Sequence, residues 1–143
     1  MATQTLFAGD RIESRQYGDG IHQYMGQIVL KSRGRNLFLP VSHICWIGAE
    51  ENYVRICTGN ESHLLRETMN SMERRLDPKQ FLRVHRSAIV NLRYVKELRS
   101  KTRGECMVHL VNGQKLPMSR SYRARIGELL NHCGLRSAPQ QAN

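Results

Sequence analysis

The chain is organised around residues 81–95, FLRVHRSAIVNLRYV, whose pattern predicts strands interrupted by a polar turn. Apolar and polar side chains alternate through residues 82–85, a period that is typical of a half-buried β-strand. The alternation breaks at Arg86 and Ser87, two consecutive polar residues that must reach solvent or a partner. A guanidinium group held at a strand end has five donors in a fixed geometry, which suits a guanine edge or a phosphate. The stretch indicates either a binding edge or a solvated basic rim.

Positive charge is concentrated around this stretch. The chain has 143 residues, 40% of them hydrophobic, and a formal net charge of +10. Residues 81–126 contain 11 Lys and Arg against two acids, Glu97 and Glu105, so +9 of the net charge lies there. The length suits one domain with a real core. Charge of this size predicts a polyanionic partner, nucleic acid first and an anionic membrane surface second.

Short strands and tight turns dominate the rest of the pattern. We predict about eight short strands, including residues 24–31, 36–41, 44–47, 53–57, 62–65, 94–98, 105–111 and 115–118. Residues 58–61 and 112–113 carry hairpin signals, and residues 48–52 are predicted to be a polar loop. Because the strands do not alternate with helices, the fold class is mainly β rather than a doubly wound parallel sheet.

Two helices are expected. The first covers residues 68–76, with Thr68 as its N-cap and an apolar stripe that includes Met69 and Met72. The second lies near residues 121–130 and begins close to residues 119–121. A helix start has free backbone N–H groups that favour a phosphate, and Arg120 stands beside them.

The sequence contains no arrangement that indicates catalysis. It has no G-x-S-x-G, no phosphate-cradling glycine loop and no HExxH, so we expect no enzyme, no metal and no cofactor. The four cysteines lack zinc-ligand spacing and are expected to be small core residues: Cys45, Cys57, Cys106 and Cys133. No apolar run approaches 18 residues and no signal peptide is seen, which predicts a cytoplasmic protein without a membrane partner.

Three motifs resemble the LytTR DNA-binding domain, the output module of many bacterial response regulators. They are ICWIGAEENYVRI at residues 44–56, FLRVHRSAIVNL at residues 81–92 and PMSRSY at residues 117–122. The resemblance implies an elongated stack of small, mostly antiparallel sheets with few helices. It also implies binding of double-stranded DNA through loops that enter successive major grooves. Two copies on imperfect direct repeats, and a sensor or regulatory partner protein, are further expectations.

The resemblance assigns the DNA contacts to three short segments. The expected DNA-binding residues are Asn52, Tyr53, His85, Arg86, Ser87, Ser119 and Arg120. The amide of Asn52 can pair with an adenine edge, and Arg86 and Arg120 are expected to read bases. Four further basic residues are expected to contact phosphates: Arg99, Lys101, Arg103 and Arg123.

The resemblance also divides the chain. We expect an N-terminal arm at residues 1–36, partly ordered, the LytTR-type domain at residues 37–132 and a polar tail at residues 133–143. Only about 40 residues precede the domain, too few for a receiver domain of ordinary size, so no phosphoaspartate control is expected within this chain. The chain is then either a stand-alone regulator controlled by a partner or a piece of a longer sensor.

The principal alternative is a basic RNA-binding β-domain. RNA readers commonly display aromatic side chains on which bases stack, and only 6% of this chain is aromatic. The composition therefore favours a sequence-specific regulator that binds duplex DNA.

Overall fold

The computed structural model describes residues 5–6, 24–101 and 105–133, and the side chains of residues 5–6 and 129–133 are not considered. Most of the expected arm, nearly all of the tail and the expected phosphate contact Arg103 lie outside the described residues. The boundaries of arm, domain and tail stay predictions.

The described part of the chain contains eleven strands, two α-helices and two short 3-10 helices, Val41–His43 and Leu92–Tyr94. The strands are β1 Thr5–Leu6, β2 Gln27–Ser32, β3 Arg35–Pro40, β4 Trp46–Glu50, β5 Tyr53–Cys57, β6 Ser62–Leu65, β7 Phe81–His85, β8 Ala88–Asn91, β9 Val95–Ser100, β10 Cys106–Leu110 and β11 Lys115–Met118. The α-helices are α1 Met69–Arg75 and α2 Arg120–Cys133. The mainly β fold class with two short helices is confirmed.

The strands form three sheets. The largest has six strands in the order β1-β6-β5-β4-β8-β7, the second has the order β11-β10-β9, and β2 and β3 form a separate hairpin. Strand pairing is antiparallel except between β1 and β6. This agrees with the predicted set of small, mostly antiparallel sheets.

The six-stranded sheet is covered on both faces. One hydrophobic cluster contains Ile28 and Leu30 of β2, Met72 of α1, and Phe81 and Ile89. A second cluster joins β7 and β8 to the three-stranded sheet, with Ile126 of α2 packed against it. Residues of β7 and β8 contribute to both clusters, so these strands are buried on both faces rather than half-buried as the alternation predicted. One face is covered by β2 and α1, and the other by the three-stranded sheet and α2.

Helix α1 begins where its sequence predicts. The hydroxyl of Thr68 accepts a hydrogen bond of 3.0 Å from the backbone N–H of Ser71, which satisfies one of the free donors at the helix start. Met69, Met72 and Leu76 are buried beneath it. The predicted N-cap and apolar stripe of this helix are confirmed.

The predicted loop at residues 48–52 is wrong in its extent. Strand β4 continues to Glu50, because Gly48 and Ala49 pair with Arg55 and Val54 of β5. Only Glu51 and Asn52 form the turn, and Glu51 has a φ of 59°. A short turn with positive φ at its first position matches the right-handed twist of a hairpin, although glycine is the usual residue there. The polar composition of residues 48–52 therefore predicted the turn correctly but not the part of β4, residues 48–50, that precedes it.

Gly48 is required by the packing of Trp46 two residues earlier on the same face of β4. A Cβ atom added at Gly48 would lie 2.7 Å from the indole ring of Trp46. We expect Gly48→Ala to displace the ring and to lower the free energy of unfolding by about 1–2 kcal/mol, as overpacking does. Because the chain contains one tryptophan, its fluorescence reports the displacement directly. Gly59→Ala, where nothing lies within 4 Å, is the matched control.

Candidate nucleic-acid interface

Strand register brings the expected DNA-binding segments to one end of the molecule. The turn at Glu51 and Asn52 follows β4, whose Gly48 pairs with Ala88, the first residue after the β7–β8 turn. The N–H of Ala49 donates to the carbonyl of Ser87 over 3.0 Å, which joins the two turns. Two of the three segments predicted from the sequence, the β4–β5 turn and the β7–β8 turn, are therefore adjacent, because β4 pairs with β8.

The start of α2 adjoins the same turn. The N–H of Ser119 donates to the carbonyl of Val84 over 2.8 Å, directly before the β7–β8 turn. The Ser119 hydroxyl accepts from the N–H of Ser121 over 3.3 Å and lies 3.0 Å from the Ser121 hydroxyl, so it acts as the cap of α2. Arg120, the first residue of α2, is exposed beside it.

The β7–β8 turn consists of Arg86 and Ser87, between His85 and Ala88, which pair with each other. The Nδ1 atom of His85 lies 2.9 Å from the Ser87 hydroxyl and accepts from the Ser87 N–H over 3.1 Å. Arg86 is exposed, and its side chain makes no hydrogen bond or ion pair within the described part of the chain. Of the three expected residues, His85 and Ser87 therefore hold the shape of the turn, and Arg86 is exposed to solvent.

The remaining expected contacts differ in their surroundings. Asn52 is exposed, whereas Tyr53 is half-buried and begins β5. Next to them Glu50 accepts two hydrogen bonds from Arg55, at 2.7 and 2.8 Å, and the hydrogen bonding to Arg55 lowers the pKa of this carboxyl. This ion pair joins β4 to β5 at the hairpin end, and Arg55 balances the negative charge of Glu50 near the expected DNA-binding residues.

Two of the expected phosphate contacts, Arg99 and Lys101, lie at the end of the three-stranded sheet that adjoins the start of α2. Cys106 pairs with both Ser100 and Met118, so the end of β9 and the beginning of β10 are next to the start of α2. Lys101 is exposed there, and Arg99 is exposed but donates to Glu97 over 3.1 Å. Arg123 is half-buried on α2. The described phosphate candidates thus lie near the start of α2, which carries Arg120.

Arg83 is the supporting residue that sequence reasoning did not identify. Its residue surface is only 6% exposed, and its guanidinium donates to four oxygen atoms. Two are the backbone carbonyls of His85 and Arg86, at 3.2 and 2.6 Å. The other two belong to Asn70 and Glu73 of α1, at 2.9 and 2.8 Å. A buried charge is tolerated here because it is paired and hydrogen-bonded.

A sequence signal for this network exists on α1. Asn70 and Glu73 are three residues apart and flank the buried stripe of Met69 and Met72, so they lie on one helix face at the edge of the core. An acid and an amide in that position need a partner when another element packs over them. The partner, Arg83, cannot be found by spacing because it belongs to a strand.

Glu73 connects this network to α2. Its second carboxylate oxygen accepts from Arg125 over 3.0 Å, and the guanidinium groups of Arg83 and Arg125 both lie over the ring of Tyr122, at 5.8 and 5.6 Å. Burial raises the pKa of Glu73, but hydrogen bonds from Arg125 and Arg83 and their charges outweigh burial and lower it below 4.5. The charged carboxylate is the stable form in the folded protein.

The lowered pKa of Glu73 predicts a specific loss of stability in acid. A carboxyl whose pKa is lower in the folded state stabilises that state fully above its ordinary value of 4.5, and less as pH falls through and below that value. We expect the stability difference between the wild type and Glu73→Gln to shrink between pH 5.5 and pH 3.5. Urea unfolding at both pH values measures it, and a pH-independent difference would contradict the assignment.

Two observations on the described residues concern metal binding and thiol chemistry. No group of three or more His, Cys, Asp or Glu lies close enough together there to hold a metal ion. Burial is the largest influence on Cys57 and raises the pKa of its thiol to about 11, which keeps the sulfur protonated and unreactive at neutral pH. Neither described helix is long and apolar enough to cross a membrane.

Comparison with solved structures shows the same fold elsewhere. The LytTr DNA-binding domain of a putative methyl-accepting/DNA response regulator from Bacillus cereus superposes with a TM-score of 0.67 at 24% sequence identity. The match covers 74% of this chain and 97% of that chain. At this identity the likeness establishes the fold.

Comparison with curated proteins finds partial relatives. The sensory transduction protein LytT of Bacillus subtilis is 32% identical over 95 residues, 66% of this chain and 39% of the relative. The transcriptional regulatory protein LytR of Staphylococcus aureus is 36% identical over 84 residues, 59% of this chain and 34% of the relative. The chain thus spans about two fifths or less of the length of these relatives.

The family comparison covers most of the chain. Residues 34–131 match the model of the LytTr DNA-binding domain, which includes every strand from β3 to β11. The match also includes the basic end of the molecule, by which we mean the β4–β5 turn, the β7–β8 turn and the start of α2. This chain therefore belongs to the LytTr DNA-binding domain family.

Proposed function

We propose that this chain is a sequence-specific transcriptional regulator that reads the major grooves of duplex DNA through the turns at one end of its sheets. The observation that carries the proposal is that Arg86 and Arg120 are both exposed and lie on adjacent segments, which the hydrogen bond from Ser119 to Val84 joins. A bidentate arginine–guanine pair is the commonest specific contact in the major groove. Family membership supports DNA as the ligand.

The structural setting of each basic residue suggests whether it reads bases or binds phosphates. Arg86 lies on a turn held by hydrogen bonds to its neighbours, and Arg120 lies on the first turn of a capped helix. Arg99 and Lys101 lie at the β9–β10 connection, where like charges suit general attraction to the phosphate backbone. We therefore assign base reading to Arg86 and Arg120, assisted by Asn52, and phosphate binding to the cations around them.

The test begins by selecting bound sequences from a random duplex pool with the wild-type protein. Arg86→Ala is then measured on the selected duplex and on its single-base variants. We expect discrimination at one base position per site to fall by about 5–150-fold, the equivalent of about 1–3 kcal/mol. Arg120→Ala should act at a different position.

Arg93→Ala is the matched control, because Arg93 is exposed beyond the opposite end of the β7–β8 hairpin. It should leave discrimination unchanged. A uniform loss across all duplexes for Arg86→Ala would make Arg86 a phosphate contact. If structured RNA competes better than the selected duplex, the RNA-binding alternative replaces the proposal.

The arrangement on DNA and the regulation are also proposals. Two copies on imperfect direct repeats would give stepwise band shifts, and one half-site should then retain a single shift. The curated relatives are named as sensory transduction and transcriptional regulatory proteins. We infer from those names that a sensor or regulatory partner acts on this chain.

A further inference from the structure

The β7–β8 turn lacks the backbone conformation that usually holds a short hairpin. Two-residue hairpin connections favour turns with positive φ at one or both central residues. Neither Arg86 nor Ser87 is among the described residues with positive φ. The register of the β7–β8 pairing also shifts between Arg83 and His85, and contacts from the Arg83 side chain and from β4 hold the backbone of the turn.

Those contacts hold three successive carbonyl groups. Arg83 binds the carbonyls of His85 and Arg86, and the N–H of Ala49 binds the carbonyl of Ser87. Four of the five N–H groups of the Arg83 side chain are used, which fixes its rotamer as well. The direction in which Arg86 leaves the turn is then set by Arg83.

One carboxylate anchors Arg83 and α2 together. Glu73 binds Arg83 through one oxygen and Arg125 through the other. Tyr122 lies beneath both guanidinium groups, one turn or less from the start of α2. Helix α1, which carries no expected DNA contact, is thereby joined to both elements that carry the base-reading arginines.

We propose that Glu73 and Arg83 form a positioning bridge that sets the relative placement of Arg86 and Arg120, and thereby the base specificity of the domain. The inference rests on the proposed function, since it assigns a cause to the specificity proposed there. Base readout requires the planar guanidinium group of an arginine to face two acceptor atoms of a guanine. A small shift of the turn therefore weakens base discrimination before it weakens phosphate binding.

The test compares Glu73→Gln with Glu61→Gln. Both remove one negative charge, but Glu61 pairs with His63 beside the Thr58–Glu61 turn, at the opposite end of β5. On the duplex selected by the wild type and its single-base variants, we expect Glu73→Gln to reduce discrimination by about tenfold. Affinity for a random-sequence duplex should match that of Glu61→Gln. Asn70→Ala, which keeps the net charge, should reduce discrimination in the same direction.

A second experiment tests the positioning bridge in the protein without DNA. In backbone amide NMR spectra, Glu73→Gln should shift the resonances of Arg86, Ser87 and Ser121 as well as those of α1, because the bridge joins these segments. Shifts confined to α1 would overturn the proposal. So would full discrimination in Glu73→Gln and Asn70→Ala.

The two proposals fail in different ways. If the wild type itself shows no preference among duplexes, the proposed function is wrong. If the wild type discriminates and both bridge variants discriminate equally well, only the positioning bridge is wrong.

Discussion

The affinity of this protein for its selected duplex is expected to fall by about 150-fold when monovalent salt rises from 50 to 200 mM. Four cations were assigned to phosphates: Arg99, Lys101, Arg103 and Arg123. Each phosphate neutralised releases condensed counterions, so four contacts give a slope of log affinity against log salt of about −3.6. Fluorescence anisotropy titrations at four or more salt concentrations measure that slope.

Two lysines on the same sheet provide the internal comparison. Lys101 follows β9 at the end that carries the expected interface, and Lys115 begins β11 at the other end; both are exposed. Lys101→Ala should weaken binding to all duplexes about equally and reduce the magnitude of the slope by about 1. Lys115→Ala should leave the slope unchanged.

Two results would contradict this account. An affinity that does not change with salt would mean that the basic end is not the binding surface. A slope near −5.4 would mean about six phosphate contacts, in which case Arg86 and Arg120 bind the backbone too.

Asn91→Ala is expected to lower the free energy of unfolding by about 2–4 kcal/mol. Asn91 is fully buried at the end of β8. Its amide N–H donates to the carbonyl of Ile44 over 2.9 Å, and its amide oxygen accepts from the N–H of Arg93 over 2.9 Å. Alanine would leave a buried acceptor and a partly buried donor without partners, and each costs about 1–3 kcal/mol.

Urea unfolding followed by Trp46 fluorescence measures the loss. Asn36→Ala is the matched control, because Asn36 is an exposed strand residue on β3 and should change stability by less than about 0.5 kcal/mol. If Asn91→Ala is no more destabilising than Asn36→Ala, the amide does not hold the segment before β4 against β8.

The sequence predicted the elements well where local rules apply. Thr68 caps α1 and the stripe of Met69 and Met72 is buried, because capping and helical periodicity depend on neighbouring residues only. Strand β11 has the predicted bounds, next to the Asn112–Gly113 turn. The loop predicted at residues 48–52 was wrong in its extent because Gly48 and Ala49 are weak strand formers that pairing holds in β4. Gly48 pairs with both β5 and β8, and Ala49 pairs with β5 and donates to the carbonyl of Ser87.

The candidate site was predicted in part for the same reason. The exposed positions Asn52, Arg86 and Arg120 are found at turns and at a helix start, as the sequence indicated. Their contacts with DNA stay predictions. Their mutual proximity depends on strand register across β4, β5, β7 and β8, which local sequence does not encode.

From the sequence alone it follows that this protein is basic and mainly β, with two short helices, the first capped by Thr68, and arginines at the ends of elements. The tertiary structure alone decided which polar residues of the stretch at residues 81–95 face the solvent and which support it. Arg83 and Asn91 are buried, whereas Arg86, of the same residue type as Arg83, is exposed. Burying a polar group is favourable only where partners meet it, and these partners come from α1 and from the segment before β4.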